Sequence, residues 1–201
     1  MEMLKKFDKE MNEIIKLALK EDIGPGDITT DVLISQSAET KAVFVAKDHG
    51  IICGLPVAKR VFQVLDKNIK VTYKKKDGTW VKPGEILATV KGRARALLSG
   101  ERLALNIMQR LSGIATYTNK YVEIAKPYGV KILDTRKTTP LMRLLEKYAV
   151  KTGGGVNHRM GLYDAVLIKN NHLKQINIEK AYVDMRRWIP KDMKVEIEVE
   201  T

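Results

Sequence analysis

In 201 residues the chain has one cysteine, three histidines, two tryptophans and three phenylalanines. A single cysteine, Cys53, excludes an internal disulfide framework and an all-cysteine zinc site, and it points to the cytosol. No apolar run approaches the roughly 18 residues that a membrane-spanning helix needs. The opening stretch, MEMLKKFDKEMNEIIKLALKED, is charged throughout and lacks the apolar core of a secretory signal. His158 and His172 are not spaced like zinc ligands.

What the chain has in excess is positive charge: 36 Lys and Arg against 24 Asp and Glu, a formal net charge of +12. That balance calls for acidic partners: nucleic acid, an anionic surface or small anionic substrates. The excess is concentrated. Residues 130–172 hold 8 Lys or Arg and 3 Asp or Glu, together with two of the three histidines.

The pattern divides at about residue 100, giving domains 1–100 and 101–201. Residues 3–20 read as an amphipathic helix stopped by Gly24-Pro25-Gly26, with a short apolar run at 32–34. Short strands follow at 42–46, 50–54, 70–75 and 85–90, with a helix at 56–65 and a turn at Asp77-Gly78. A long helix spans 98–124, its stripe of Ala104, Ile107, Met108, Leu111, Ala115, Thr118 and Val122 reading as core. Strand and helix then alternate: strand 130–133, helix 140–148, strand 165–168, helix 177–188, strand 195–199. This repetition means parallel β/α architecture, in which ligands gather at the C-terminal ends of strands. A complete barrel takes on the order of 250 residues, and the chain ends on a strand. It is expected to be a truncated form, inactive as residues 1–201.

Of the chemistry-bearing residues, 134–137 follow one strand, 169–172 follow the next, and Glu196, Glu198 and Glu200 lie on the last. Thr135-Arg136-Lys137-Thr138-Thr139 puts a planar cationic fork, a point charge and hydroxyls in one loop. It is either a phosphate or carboxylate site or a solvated loop capping the next helix. Gly153-Gly154-Gly155 leads to Asn157-His158-Arg159, and the glycines either allow backbone to approach a ligand or make a mobile surface loop. Lys169 follows an apolar strand, as a functional cation or a snorkelling stem. Glu196, Glu198 and Glu200 share one strand face and either meet solvent or face cations or magnesium.

Taken in order, the segments 21–30 (EDIGPGDITT), 100–106 (GERLALN), 109–116 (QRLSGIAT), 133–140 (LDTRKTTP), 153–159 (GGGVNHR), 167–172 (LIKNNH) and 196–200 (EIEVE) resemble the quinolinate phosphoribosyltransferase family. The resemblance runs the length of the chain. It implies an α/β fold: an N-terminal α/β sandwich domain followed by an incomplete parallel α/β barrel. The implied reaction joins quinolinate to 5-phosphoribosyl 1-diphosphate with Mg2+, releasing diphosphate and carbon dioxide and giving nicotinate mononucleotide for NAD biosynthesis. The implied assembly is a homodimer or hexamer with shared active sites, cytoplasmic, without nucleic-acid or membrane partners.

Residue by residue, the resemblance implies that Arg136, Arg159 and Lys169 hold carboxylates and phosphates and that Arg102 reaches the substrate from a partner subunit. Thr135, Lys137 and His158 complete the substrate site, and Glu198, with Lys137, takes the catalytic positions, Glu198 near ribose and magnesium. Two positions depart from the family: Leu141 stands where glycine is usual, and Asn170 where an acid is common. Two other classes compete, a paralogue acting on a different acceptor and a non-catalytic anion or nucleic-acid binder. Against nucleic acid, the cations are interleaved with Gly, Asn and Thr rather than stacking aromatics.

Overall fold

The computed structural model describes residues 2–199, with two compact units, Met1–Asn157 and His158–Thr201. The first unit begins with α1 (Glu2–Lys6) and α2 (Asp8–Ile23). The single helix expected at 3–20 is broken at Phe7, whose φ of −115° and ψ of 33° are not helical. Met11, Ile15 and Leu19 bury one face of α2, and Gly24 ends it by donating its N–H to the Lys20 carbonyl. The apolar run at 32–34 belongs to a further helix, α3 (Ile28–Leu33), capped by Asp27 accepting from the Thr30 N–H at 3.0 Å. Polar bonds hold this helix in place. Arg95 pairs with Asp31 at 2.9 Å and donates to the Ile34 carbonyl, and Ser99 donates to Asp27 at 2.9 Å. Ile28, Val32 and Leu33 remain exposed.

Strands β1 (Glu39–Val45) and β2 (Gly50–Ile51) lead into α4 (Leu55–Leu65), and β3 (Lys70–Tyr73), β4 (Trp80–Val81) and β5 (Ile86–Arg93) follow. β1, β5 and β3 form an antiparallel sheet with β5 in the centre, and β2 pairs with β4. The expected turn at Asp77-Gly78 also builds a helix start. The Asp77 carboxylate accepts from the N–H groups of Gly54 (2.7 Å) and Leu55 (3.1 Å), the free donors that open α4.

The long helix α5 (Ala94–Ala125) starts a turn earlier than its periodicity predicts. Its stripe is core as expected: Ala104, Ile107, Met108, Leu111, Ala115 and Thr118 are buried, and Val122 is half-buried. The strand expected at 130–133 is reduced to one parallel bridge between Leu133 and Val156, closed by Val156 N–H to Ile132 O at 2.8 Å and Asp134 N–H to Val156 O at 3.1 Å. Val130 and Leu133 have more than half their surface exposed, so burial does not extend the pairing. Between the bridge partners lies α6 (Arg143–Thr152), which starts three residues later than predicted.

The glycines after α6 serve packing. A Cβ on Gly153 would lie 2.3 Å from the Ala115 carbonyl oxygen of α5, and one on Gly155 would lie 2.7 Å from the Val150 side chain and 3.0 Å from Thr118. Asn119 of α5 donates to the Gly153 carbonyl at 3.3 Å. The close backbone approach that this run permits is to a helix.

The second unit holds β6 (Val166–Ile168), α7 (Asn170–Leu173), α8 (Ile178–Trp188) and β7 (Val195–Ile197). β6 and β7 are parallel neighbours, a β-α-β unit of the kind the alternation predicts. The expected loop after Lys169 is the short helix α7. Glu200 lies outside the described residues. Among the described residues no helix is long and apolar enough to cross a membrane.

Gly153→Ala forces a methyl group against a helix backbone that cannot swing aside. It is expected to cost about 1–3 kcal/mol of stability, read as a lower denaturation midpoint. An unchanged midpoint would contradict the contact.

Candidate functional site

The candidate residues fall in both units. In the first, the loop after Asp134 carries Thr135, Arg136 and Lys137, with Thr135 and Lys137 exposed and Arg136 half-buried. Thr135 Oγ1 accepts from the Lys137 N–H at 3.0 Å, a local turn that shapes the loop. Its far end is pinned by α6: Glu146 accepts from the Thr139 N–H at 3.2 Å, and Arg143 Nε donates to Thr138 at 3.1 Å. Arg110, from α5, donates from Nε to Glu146 at 3.0 Å and also reaches Thr139. Leu141, in the same connection, has a φ of 64°, the left-handed region that favours glycine.

The root of the loop is ionic and buried. The side chain of Lys147 is 1% exposed and pairs with Asp134, whose own side chain is 6% exposed. Asn157 donates to the other Asp134 oxygen at 2.6 Å and to the Lys147 carbonyl at 2.8 Å. Sequence reading missed Lys147, Glu146 and Arg110. The available signal was a Glu146-Lys147 pair set between the apolar residues Leu144, Leu145, Tyr148 and Ala149, all buried on α6.

Arg102 is exposed near the start of α5 and has no hydrogen-bond or ion-pair partner among the described residues.

In the second unit, Arg159 is 91% buried. One terminal nitrogen donates to the Ala165 carbonyl at 3.1 Å, and its Nε is buried with no hydrogen-bond partner among the described residues. A buried guanidinium N–H left unmatched costs about 1–3 kcal/mol or more, so it marks a place where an anion would be stabilised. His158 Nε2 lies 2.6 Å from Glu196 Oε2. Lys169 sits half-buried at the end of β6, and its N–H donates to His172 Nδ1 at 2.8 Å. Glu198 continues the β6–β7 pairing through its N–H to the Ile168 carbonyl, and its Oε2 accepts from the Asn170 N–H at 3.1 Å. The β6–β7 ladder thus brings Glu198 beside the turn that begins at Lys169.

The acids of the 130–172 segment are all engaged locally. Asp134 and Glu146 are tied as above, and Asp164 accepts from the N–H groups of Met160 (2.7 Å) and Gly161 (3.0 Å). Its cations are less consumed, which gives the regional charge excess a structural meaning. Among the described residues no group of three His, Cys, Asp or Glu could hold a metal by itself. Glu198 is a single carboxylate with one oxygen engaged, so by itself it could supply a metal ion with no more than one protein ligand.

Cys53 is poorly suited to thiol chemistry. Burial first, and the charge of Asp77 second, push the Cys53 thiol up to about 12, far from thiolate at neutral pH. A cavity of about 570 Å³ lies in the first unit between residues 44–52 and α5, rimmed by Lys47, His49, Gln109 and Lys120. None of the candidate residues lines it.

The likeness to known proteins extends over both units. Residues 27–112 match the family model for the quinolinate phosphoribosyl transferase N-terminal domain, and residues 114–201 match that for its C-terminal domain. A probable nicotinate-nucleotide pyrophosphorylase (carboxylating) of Bacillus subtilis is 44% identical over 193 residues, covering 96% of this chain and 66% of the relative. The chloroplastic nicotinate-nucleotide pyrophosphorylase (carboxylating) of Arabidopsis thaliana is 42% identical over 195 residues, 96% of this chain and 56% of the relative. The chain thus spans between about half and two thirds of these relatives' lengths. Among solved structures, NadC from Streptococcus pyogenes superposes with a TM-score of 0.89 at 39% identity, over 98% of this chain and 69% of that one. The nicotinate-nucleotide pyrophosphorylase from Francisella tularensis gives 0.88 at 40% identity, over 96% and 68%. These matches fix the fold as mixed α/β, as expected from the sequence.

The backbone at Leu141 makes its own forecast. Left-handed φ costs a non-glycine residue about 1–2 kcal/mol, and glycine gives back part of that through greater freedom in the unfolded chain. Leu141→Gly is expected to raise stability by about 0.5 kcal/mol, and Leu141→Val to lower it, measured by thermal melting. The opposite order would contradict the left-handed backbone.

Proposed function

The chain belongs to the quinolinate phosphoribosyltransferase family, and on that footing we propose that the protein carrying it makes nicotinate mononucleotide for NAD biosynthesis. The substrates are quinolinate and 5-phosphoribosyl 1-diphosphate, and the other products are diphosphate and carbon dioxide. The observation that carries this reading is Arg159: a nine-tenths-buried guanidinium whose Nε has no partner among the described residues. Such a group asks for an anion, and the dicarboxylate and the phosphorylated sugar are both strongly anionic.

The family resemblance supplies the roles, and the residue chemistry fits them. Arg159 and Lys169 take carboxylate or phosphate oxygens in the second unit. Arg136 and Lys137 do so from the Thr135 loop of the first, Arg136 as a fork and Lys137 as a mobile point charge. His158, held by Glu196, is oriented rather than free to swing. The pyridine nitrogen of quinolinate is the nucleophile. It bonds to the anomeric carbon while the carbon–oxygen bond to diphosphate breaks and its electron pair leaves with diphosphate. The 2-carboxylate then departs as carbon dioxide, leaving its bonding pair on the ring carbon beside the cationic nitrogen, where a proton is taken up. No enzyme nucleophile is needed, in keeping with the inert Cys53 thiol. Glu198 stabilises positive charge as it develops at the anomeric carbon. Magnesium, when bound, neutralises diphosphate charge, and Glu198 is the residue that would hold it.

Arg102 acts from a second copy of the protein in a dimer or larger assembly, supported by its exposure and lack of a partner within the described chain. A cytoplasmic location rests on the lone free Cys53.

The test is product formation by the protein carrying this chain. Nicotinate mononucleotide is expected from quinolinate, 5-phosphoribosyl 1-diphosphate and magnesium, and an equal mixture of Arg102→Ala and Arg159→Ala proteins is expected to recover activity that neither has alone. Turnover of nicotinate but not quinolinate would overturn the reaction, and no recovery after proven subunit exchange would overturn the shared site.

A further inference from the structure

A deeply buried ion pair in the first unit is one that no anion needs to touch. Lys147 is 1% exposed on α6, and Asp134 receives it with a side chain 6% exposed. Desolvating two charges costs several kcal/mol each, and well-packed apolar residues of the same volume are often as stable or more so. Stability alone is thus a poor reason for an ion pair at this position.

Its location supplies another reason. Asp134 is the residue immediately before Thr135, Arg136 and Lys137. It is held from several sides: by Lys147 at one carboxylate oxygen, by Asn157 at the other at 2.6 Å, by its own N–H on the Val156 carbonyl at 3.1 Å, and by the Leu133–Val156 bridge beside it. Asn157 also binds the Lys147 carbonyl at 2.8 Å. The side chains therefore brace one another from α6 and from both strands of the bridge. Beyond Asp134 the loop is shaped by the Thr135–Lys137 turn until it meets the bonds at Thr138 and Thr139. The direction in which Arg136 and Lys137 leave the bridge is set at Asp134.

We infer that Lys147 is a positioning residue for the anion-binding loop: acting through Asp134 and together with Asn157, it fixes the direction of Arg136 and Lys137 without touching substrate. The inference rests on the proposed function of that loop and adds a residue which its chemistry does not name. A neutral, near-isosteric pair removes the charges without stranding one of them, so it separates positioning from folding.

The experiment compares wild type, the double variant Asp134→Asn/Lys147→Met, and Asn157→Ala. Three readouts are taken: melting temperature, steady-state kinetics with quinolinate, and hydrogen exchange at the Asp134 and Lys137 amides. The double variant is expected to melt within a few degrees of wild type, yet to lose at least tenfold in kcat/KM and to exchange those two amides faster. Wild-type kinetics and exchange in a normally melting double variant would overturn the inference. If the double variant does not fold, Asn157→Ala decides: it keeps the ion pair, and the same loss with near-normal melting is expected, whereas full activity overturns the inference. A wild type that ignores quinolinate would refute the reaction, while the exchange rates would still judge the positioning role.

Discussion

The contact between Gly153 and the backbone of α5 at Ala115 is the constraint on which the rest of the first unit depends. It needs a residue without a Cβ, because that atom would lie 2.3 Å from a carbonyl oxygen. Given the contact, α6 and the chain that follows it are held to one helix, which at 32 residues is roughly 48 Å long. The same helix also serves the strands. Thr116 accepts from the Ile51 N–H at 2.8 Å and Ser112 from the Cys53 N–H at 2.9 Å, so α5 satisfies backbone donors within the two-residue strand β2 and just after it. Arg110, just before those contacts on the helix, reaches Glu146 and Thr139. One element therefore carries the packing of the sheet, the seat of α6 and the far end of the cationic loop.

Charge is sorted in a consistent way. Carboxylates near the candidate residues are occupied by structural donors: Asp134 by Lys147 and Asn157, Glu146 by Arg110 and the Thr139 amide, Asp164 by two amides, Glu196 by His158. An unoccupied carboxylate there would compete with any bound anion for Arg136, Lys137 or Arg159. Using acids inside the scaffold leaves cationic groups available within each unit, in a sequence that still contains many acids.

What could be read from sequence follows the range of the interactions concerned. The α5 stripe was legible because only a helix returns apolar residues to one face at a 3.6-residue period sustained from Ala104 to Thr118. Arg136, Lys137 and Lys169 were legible as chemistry, since they follow strands in a parallel β/α pattern, and the resemblance supplied the roles of these and of Arg102 and Arg159. The glycines at 153–155 were not, since a close approach to Ala115, thirty-eight positions earlier, leaves no local trace. Helix α3 was missed because its apolar side chains are exposed and its anchors, Arg95 and Ser99, are remote in sequence. Lys147 was hidden for a different reason. A lysine on an amphipathic helix nearly always faces water, and only the fold reveals that an aspartate thirteen residues away waits inside. The strand at 130–133 was overread, because its β-branched run lacks a partner long enough to extend the ladder past Leu133.

Whether these cations serve a dicarboxylate is read from direct binding. Calorimetric titration of the protein carrying this chain should show quinolinate binding at least about tenfold more tightly than nicotinate. That is the contribution of one additional charge-assisted hydrogen bond worth roughly 1.5–3 kcal/mol. The difference should shrink as salt is raised. Equal affinity for the two acids, independent of salt, would contradict the claim.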